Sequence, residues 1–210
     1  MKNRGLVLTI LAACAGVALC AAYAASAARA DSQTSTAGEP LTEEEEAINR
    51  RPLRLPLARP RVVVEKGARR LRLYAGGKLV RVRRIALGFE PAGDKVKEGD
   101  GRTPVGDFKV CTKNERSNFH LSLGLTYPNE EAAARGLRDG LITREQAADI
   151  TRAVRAGRCP PWNTALGGEI FIHGGGAAND WTFGCVGLDN TEIEELFAAI
   201  PAGTPVRIMP

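Results

Sequence analysis

A cysteine and a histidine in the last quarter of the chain have the types and the spacing of a nucleophile and its base. Cys185 lies among small residues in the stretch 182–187 (TFGCVG), where a thiol stays accessible to a substrate. His173 follows a short apolar stretch and precedes three glycines, so its ring can project from a strand end into an open rim. A thiol paired with an imidazole can attack a carbonyl carbon. The two residues therefore indicate covalent catalysis, with His173 as the general base.

Backbone groups beside this pair can complete such a site. The N–H groups of Gly184 and Cys185 can donate to the oxyanion that forms when a carbonyl is attacked. A backbone carbonyl of the glycine run 174–176 can accept from the second ring nitrogen of His173 and so determine its tautomer. An acidic third residue is then not required.

Two other interpretations of the same residues remain open. A buried structural cysteine beside a core histidine is an ordinary arrangement, and a separation of twelve residues does not exclude it. A zinc site is the second, because His120, His173 and Cys185 could supply three ligands. Their spacing matches no familiar zinc pattern, so we predict no metal here.

The segments that must position these residues are predicted mainly as strands. Strand patterns, with β-branched or alternating residues, occur over 61–64, 71–74, 79–87, 105–111, 169–172 and 204–209. Residues 129–157 have a helical pattern instead, with Thr143 and Gln146 spaced as a capping box and Gly157 as a stop. Another helix is predicted over 190–200, directly after the cysteine loop. This order predicts a mainly β (α+β) domain with a helical insertion.

Composition excludes several classes of protein. Hydrophobic residues make up 44% of the 210 and charged residues 25%, which is typical of a globular chain that can bury a core. Aromatic residues, at 5%, are too sparse for a surface that stacks bases, so no nucleic-acid partner is predicted.

The net charge of +5 is unevenly distributed along the chain, since residues 31–49 contain six acids and no base, whereas 50–84 contain thirteen bases and one acid. We interpret the basic block as the solvent face of a hairpin, with attraction of an anionic polymer as the alternative.

The first 30 residues are predicted to be a signal peptide. An apolar run over 5–22 follows two bases, and small residues lead to an Ala-Arg-Ala sequence that ends at Ala30, where we predict cleavage. A membrane anchor and a lipoprotein modified at Cys14 are alternatives. Removal of 1–30 deletes three bases and no acid, so the net charge falls from +5 to +2. We expect a periplasmic or secreted protein that contacts a membrane only through this segment.

Cysteine usage supports the special position of Cys185. Cys14 and Cys20 leave with the signal, so an exported chain keeps three cysteines, an odd number. Cys111 at a predicted strand end and Cys159 beside two prolines are both ordinary positions for a structural bridge. We predict a Cys111–Cys159 disulfide, although the sequence alone does not choose among the three pairings.

Several motifs together resemble one known family. Ile-His-Gly-Gly over 172–175, a spacer, and Thr-x-Gly-Cys-Val over 182–186 resemble the signature of the L,D-transpeptidase catalytic (YkuD-type) family. The loop Gly-Arg-Thr-Pro-x-Gly over 101–106 and the segment 71–80 resemble a loop and the front strands of the same family. Phe-His-Leu-Ser-Leu over 119–123 is similar to the branch that contains the murein-lipoprotein-detaching amidase. The resemblance covers 61–210, so we expect a catalytic domain over 61–210 and a flexible acidic linker over 31–60.

The resemblance implies an L,D-transpeptidase-type β-sandwich and gives roles to matching positions. Cys185 would be the nucleophile and His173 its base. The other roles would fall on Gly174 or Gly175 to orient the imidazole, Gly184 and Cys185 for the oxyanion, and Thr182 to support the loop. In this family the thiolate attacks the third residue of a peptidoglycan stem peptide, expels D-alanine, and forms a thioester that an amine of a second stem resolves. It uses no metal or organic cofactor.

One position departs from the family pattern. The family usually has an arginine two residues after the cysteine, and this chain has Gly187 there. The departure bears on the identity of the substrate more than on that of the nucleophile. Three further residues are candidate substrate contacts, each with a purely structural role as the alternative: His120, Trp181 and Arg102.

Three functions are therefore considered. The first is an exported, monomeric cysteine L,D-transpeptidase with peptidoglycan as its partner, active in cell-wall cross-linking or remodelling. The second uses the same site for hydrolysis, as a carboxypeptidase or an amidase that releases a terminal residue or a wall-attached lipoprotein. The third is a non-catalytic wall-binding module, which Gly187 suggests. We expect the first.

Overall fold

A computed structural model of the protein describes residues 39–210. The predicted signal peptide, its cleavage site at Ala30 and the first part of the predicted linker lie outside the described residues. The helices are α1 (Glu43–Arg50), α2 (Glu130–Arg138), α3 (Arg144–Arg155) and α4 (Asn190–Ala199). The strands are β1 (Arg61–Glu65), β2 (Arg70–Ala75), β3 (Lys78–Arg84), β4 (Gly106–Ser117), β5 (His120–Leu125), β6 (Phe171–His173), β7 (Val186–Gly187) and β8 (Pro205–Met209). Over residues 39–210, no helix has both the length and the apolar character needed to cross a membrane.

The eight strands form one sheet in the order β3-β2-β1-β8-β4-β5-β6-β7. Neighbours are antiparallel except for the β1–β8 and β6–β7 pairs, which are parallel. Ala86, just beyond β3, exchanges two backbone hydrogen bonds of 2.9 Å with Gly187 of β7, so the two ends of the sheet meet. The predicted mainly β class is confirmed, and the expected sandwich is built from this single curled sheet.

Alternation along the strands determines which side chains enter the core. Leu71 and Leu73 of β2 are fully buried, while Arg72 between them faces the other way, as the sequence predicted. Ile172 of β6 and Val186 of β7 are buried in the same core. Burying side chains of this size contributes about 1.5–3 kcal/mol each. Ile172 and Val186, which adjoin His173 and Cys185 in the sequence, are therefore anchored in the hydrophobic core.

The helical insertion consists of two helices, α2 and α3. The N–H of Thr143 donates to the Gln146 side chain at 2.9 Å, and the N–H of Gln146 donates to the Thr143 hydroxyl at 3.2 Å. The predicted capping box is thus confirmed as the start of α3. Gly157 follows the end of α3 with a φ of +67°, a conformation that costs glycine little.

A disulfide joins Cys111 in β4 to Cys159 after α3, the pairing that the sequence predicted. The two residues are 48 positions apart, so the bridge ties the end of the helical insertion to the sheet. Cys185 is the free cysteine of the described residues.

The described part of the expected flexible linker contains α1, which packs on the edge of the sheet. The Glu45 carboxylate contacts Arg72 at 2.8 Å and Arg70 at 3.6 Å, both on β2. The side chain of Asn49 accepts from the Val82 N–H at 2.9 Å and donates to the Val82 carbonyl at 2.7 Å. The segment Glu43–Arg50 is therefore a helix packed on the sheet through Glu45 and Asn49 and not a flexible linker, whereas Glu43, Glu44 and Glu46 are exposed to solvent as expected.

The basic block is also not a simple solvent face. Arg81 on β3 is 3% exposed, and its guanidinium binds both carboxylate oxygens of Glu195 on α4 at 2.6–2.9 Å. Arg83 contacts the same carboxylate at 2.6 Å, and Arg69 contacts Asp180 at 2.6 Å. Acids that are distant in sequence therefore neutralise much of the block.

Candidate active site

Strand pairing brings Cys185 and His173 to one side of the sheet. β6 and β7 run parallel, with Ile172 opposite Val186. Cys185 precedes Val186 and so lies opposite Phe171, whose N–H donates to the Cys185 Sγ at 3.4 Å. Residues two positions apart along a strand share a face. Cys185 and His173 therefore line the same cavity, while Ile172 and Val186 enter the core.

Two cavities meet at Cys185. The first, of about 310 Å³, also contains His173, and its other polar lining comes from Asn114, Arg116, Ser117, Asn118, Ser122 and Glu169. The second, of about 540 Å³, is lined by Cys185 and Glu169 but not by His173. Two larger cavities, of about 570 and 870 Å³, contain neither Cys185 nor His173. A substrate can therefore approach the thiol from two sides, and only one of them carries the base.

The His173 imidazole is buried and held in one tautomer. The residue is 2% exposed, and its Nδ1 lies 2.6 Å from the Gly174 carbonyl oxygen. A carbonyl only accepts, so Nδ1 carries the proton and Nε2 is the basic nitrogen. Burial lowers the pKa of His173, and the hydrogen bond to Gly174 opposes this in part. The ring is thus neutral at neutral pH, which is the form that a general base requires.

The Cys185 thiol is protonated in the resting protein. Burial raises the pKa of Cys185 to about 11, although the N–H of Phe171 opposes the increase. The thiol donates to the Glu169 carbonyl at 3.4 Å. Both reacting groups are therefore neutral, which favours proton transfer to His173 during attack over a preformed thiolate–imidazolium pair.

The turn before Cys185 uses one of the two amides expected in the oxyanion hole. The Gly184 N–H donates to the Thr182 hydroxyl at 3.1 Å, and that hydroxyl donates to the Cys185 carbonyl at 2.8 Å. Thr182 thus supports the loop, but the Gly184 N–H is not free to bind an oxyanion. The Cys185 N–H has no acceptor within residues 39–210 and is the remaining backbone donor.

The glycine run after His173 is shaped by close contacts. A Cβ on Gly174 would lie 2.6 Å from the Asn190 Oδ1 and 2.9 Å from the Phe119 carbonyl oxygen. Gly175 has a φ of +105°, and its N–H donates to the Asn190 Oδ1 at 2.9 Å. Of the two carbonyls that the resemblance offered, that of Gly174 orients the imidazole.

Trp181 and Phe119 cover the imidazole. The Phe119 ring is stacked on His173 with centroids 4.7 Å apart, and the Trp181 ring meets it edge-on at 5.6 Å. The indole N–H of Trp181 donates to the Gly176 carbonyl at 3.1 Å. Trp181 thus lies at the site, and Phe119 is a site residue that the sequence analysis named only as part of a motif.

The structure does not bring His120 or Arg102 to either cavity. His120 Nε2 lies 2.7 Å from the Glu194 carboxylate on α4. The Arg102 guanidinium contacts the Asp94 carbonyl at 3.5 Å, within its own loop. The described residues contain no group of three or more His, Cys, Asp or Glu side chains arranged as a metal site. His120 therefore does not join His173 and Cys185 as the zinc interpretation required.

Packing explains the glycine where the family usually has arginine. A Cβ on Gly187 would lie 2.9 Å from the Gly176 carbonyl oxygen and 3.2 Å from the Ala86 Cβ. The Trp181 indole nitrogen would be 3.5 Å away. These neighbours occupy the space that the first atoms of an arginine side chain at position 187 would need.

Two positioning residues were not identified from the sequence. The buried hydroxyl of Thr103, in the loop 101–106, donates to the Cys185 carbonyl at 3.4 Å. Asp180, just before the cysteine turn, binds Arg69 and accepts from the Leu87 N–H at 2.8 Å. The Gly-x-Thr-Pro motif was a signal for Thr103. No sequence pattern could have paired Arg69 with Asp180, because the two residues are 111 positions apart.

Comparison with protein families gives a match over most of the chain. The profile of the L,D-transpeptidase catalytic domain (YkuD) family matches residues 59–208. The chain belongs to this family. The matched range contains both cavities at Cys185 and all eight strands except the last residue of β8. Members of the L,D-transpeptidase catalytic domain family act on peptidoglycan.

Solved structures with similarity include further members of the family. An L,D-transpeptidase from Xylanimonas cellulosilytica is 16% identical, with a TM-score of 0.44, over 81% of this chain and 70% of that one. The helical cell shape determining protein Pgp2 from Campylobacter jejuni is 20% identical, with a TM-score of 0.47, over 78% of this chain and 52% of that one. An L,D-transpeptidase from Mycobacterium smegmatis is 11% identical, with a TM-score of 0.43, over 73% and 59%. The chain thus spans only about half the length of the Campylobacter protein. No curated protein matches the sequence significantly.

Proposed function

We propose that this chain is an exported cysteine L,D-transpeptidase that acts on peptidoglycan stem peptides through a thioester acyl-enzyme. The observation that carries the proposal is the cavity shared by Cys185 and His173, in which Gly174 engages Nδ1 of the imidazole and leaves Nε2 to accept the thiol proton. Membership of the L,D-transpeptidase catalytic domain family supports peptidoglycan as the substrate class.

The proposed reaction has two acyl transfers. In the first, the Cys185 sulfur attacks a stem-peptide carbonyl as its proton moves to His173 Nε2, and the Cys185 N–H donates to the resulting oxyanion. The carbon–nitrogen bond then breaks, and His173 returns the proton to the departing amine. In the second, an acceptor amine attacks the thioester, its proton passes to His173, and the carbon–sulfur bond breaks to restore the thiol.

Hydrolysis is a second candidate, which one feature favours. Gly187 removes the arginine that the family usually has two residues after the cysteine, and with it any contact of that side chain to a substrate carboxylate. Water could then resolve the same thioester, and the protein would act as a carboxypeptidase or as an amidase that detaches a wall-linked peptide or lipoprotein.

Incubation of purified sacculi with residues 31–210 and with the Cys185→Ala variant tests these alternatives. Released and cross-linked muropeptides are compared by mass spectrometry. New cross-links between third stem residues that require Cys185 support transfer, whereas release of peptide or lipoprotein without them supports hydrolysis. If neither product depends on Cys185, both catalytic proposals fail and a wall-binding module is left.

The two histidines give a matched control for the role of the base. Acylation of Cys185 by a carbapenem can be followed as a mass increase of the intact protein. His173→Ala is expected to slow acylation by about 10²–10⁴-fold, the usual contribution of a general base. His120→Ala removes a histidine that pairs with Glu194 outside both cavities, and it should leave the rate unchanged.

Export is proposed from the sequence of residues 1–30. Expression of the full chain in a Gram-negative host with fractionation of the periplasm tests it. N-terminal sequencing should find Asp31 as the first residue, and a chain that keeps its N-terminus in the membrane fraction would favour an anchor.

A further inference from the structure

The rings of Phe119, Trp181 and His173 form an aromatic cluster beside the cavity that Phe119 and His173 line. Phe119 and Trp181 are 45% and 37% exposed, yet His173 beneath them is only 2% exposed. Phe119 lies nearly parallel to the imidazole, with an interplanar angle of 26°, and its centroid is 5.3 Å from that of Trp181. Two exposed rings thus exclude water from a buried base. We call Phe119 and Trp181 the aromatic cover.

The polar residues paired with His173 or packed against Gly174 are uncharged. Ser122 on β5 lies opposite His173, and Asn190 of α4 lies against the adjoining Gly174. Cys185 is the titratable group that shares its face of the sheet, and Arg116 and Glu169 are the charged residues that line the same cavity. Within residues 39–210, no carboxylate forms an ion pair with His173.

His120 shows the contrasting arrangement in the same protein. Its ring is 2.7 Å from the Glu194 carboxylate and is much more exposed. An apolar cover disfavours the protonated form of histidine. The causes that act on His173 agree, since burial lowers its pKa and only the Gly174 carbonyl opposes the change.

We propose that Phe119 and Trp181 are positioning residues that keep the His173 imidazole uncharged and in a single orientation, ready to accept the Cys185 proton. Stacking on the ring face opposes rotation of the imidazole away from the Gly174 carbonyl, which accepts from Nδ1. The proton-accepting role of His173 rests on the proposed function. The uncharged state of the ring can be measured without any activity.

The presence of only two histidines makes a direct test practical. Protein labelled with ¹⁵N in histidine gives two imidazole signals, which His120→Ala assigns, and each can be titrated with pH. In Phe119→Ala, water reaches the imidazole, and the His173 midpoint is expected to rise toward 6.5, the value of a solvated histidine. Phe119→Leu keeps an apolar cover and should retain the wild-type midpoint.

Phe183→Ala is the matched control. Phe183 is 79% exposed and lines the second cavity beside Cys185, where His173 is absent. Its removal should leave the His173 titration unchanged. The rate of carbapenem acylation should begin to fall at a higher pH in Phe119→Ala than in wild type, with no such shift in Phe183→Ala.

The outcomes separate this inference from the proposed function. If His173 titrates identically in Phe119→Ala and wild type, the inference is overturned whatever the protein catalyses. If wild type is never acylated but the titration of His173 shifts as expected, the proposed function fails while the role of the aromatic cover in keeping the ring uncharged is supported.

Discussion

Cys185 and His173 are both neutral at neutral pH, and burial is the main cause for each. Burial disfavours the charged form of any group, so it raises the pKa of a thiol and lowers that of an imidazole. The raised pKa of the thiol and the lowered pKa of the imidazole both disfavour the thiolate–imidazolium ion pair. Under the proposed function, the proton would therefore move from Cys185 to His173 only as the substrate is attacked.

The pH dependence of alkylation should report this state. Iodoacetamide reacts with the thiolate, so the rate at Cys185 of wild-type protein should increase about tenfold per pH unit from neutral pH toward 11. The modified cysteine is identified by peptide mass spectrometry, with Cys185→Ala as the unreactive control. A rate that is already maximal near neutral pH would indicate a preformed ion pair instead.

Gly187 gives a second prediction for a single residue. Gly187→Arg restores the usual family residue but forces its Cβ against the Gly176 carbonyl and Ala86. Overpacking of this kind is expected to lower the free energy of unfolding by about 3 kcal/mol, measured by urea denaturation. Gly67→Arg is the control, because a Cβ there has ordinary contacts of 3.7 Å or more. Equal stability of the two variants would argue against the packing explanation.

Among the elements, α4 connects the cysteine loop to the far end of the sheet. Its first residue, Asn190, accepts from the Gly175 N–H, and Glu195 further along binds Arg81 and Arg83 of β3. Arg81 is almost fully buried, so its charge depends on this one carboxylate for compensation.

Removal of that carboxylate should destabilise the protein. Glu195→Ala leaves the buried Arg81 guanidinium without its partner, at an expected cost of about 2–4 kcal/mol in the free energy of unfolding. Asp107→Ala breaks the Arg207–Asp107 pair, which has similar geometry but is exposed, and should change stability little. Thermal and urea unfolding of both variants check the difference. A similar decrease in the free energy of unfolding of both variants would show that burial does not determine how much the Glu195 contact stabilises the protein.

At the scale of the whole molecule, α1 extends the folded structure well before the first strand. Asn49 pairs with both backbone groups of Val82 on β3, as a neighbouring strand would. β3 is the first strand in the sheet order, so α1 covers part of an edge that would otherwise offer unpaired backbone groups.

Loss of this contact should loosen the edge strand. Asn49→Ala removes two hydrogen bonds and is expected to reduce stability by about 1–2 kcal/mol. Hydrogen exchange at the Val82 amide should accelerate, while exchange in β5 and β6 should be unaffected. Asn179→Ala, at an exposed loop position, is the control. Unchanged protection of Val82 would mean that α1 does not stabilise the edge.

Features that depend only on residues close together in the sequence were predictable from the sequence. The capping box of Thr143 and Gln146, the alternation of Leu71 and Leu73, and the spacing of His173 and Cys185 all depend on neighbours within a few positions along a helix, strand or loop. These patterns were sufficient for the mainly β class and for naming Cys185 and His173 as the candidate pair, which the structure places on one cavity.

His120, a candidate substrate contact with a structural role as its alternative, lies where strand alternation alone would not place it. Continued along β5, alternation would place His120 on the same face as Ser122, in the catalytic cavity. His120 instead has a φ of +72°, directly after the turn between β4 and β5, and pairs with Glu194. Phe119 takes the place beside His173 that the pattern would have given to His120.

By itself, then, the sequence indicated the family, most of the order of elements and a candidate nucleophile and base, but it predicted neither α1 nor the strands β5 and β7. The tertiary structure decided which carbonyl orients His173, that the Gly184 amide is occupied, that Gly187 has no space for a side chain, and that the basic block meets Glu45, Asp180 and Glu195. The physical reason is distance along the chain. Burial and ion pairing depend on residues up to 114 positions apart, and only folding sets which of them become neighbours.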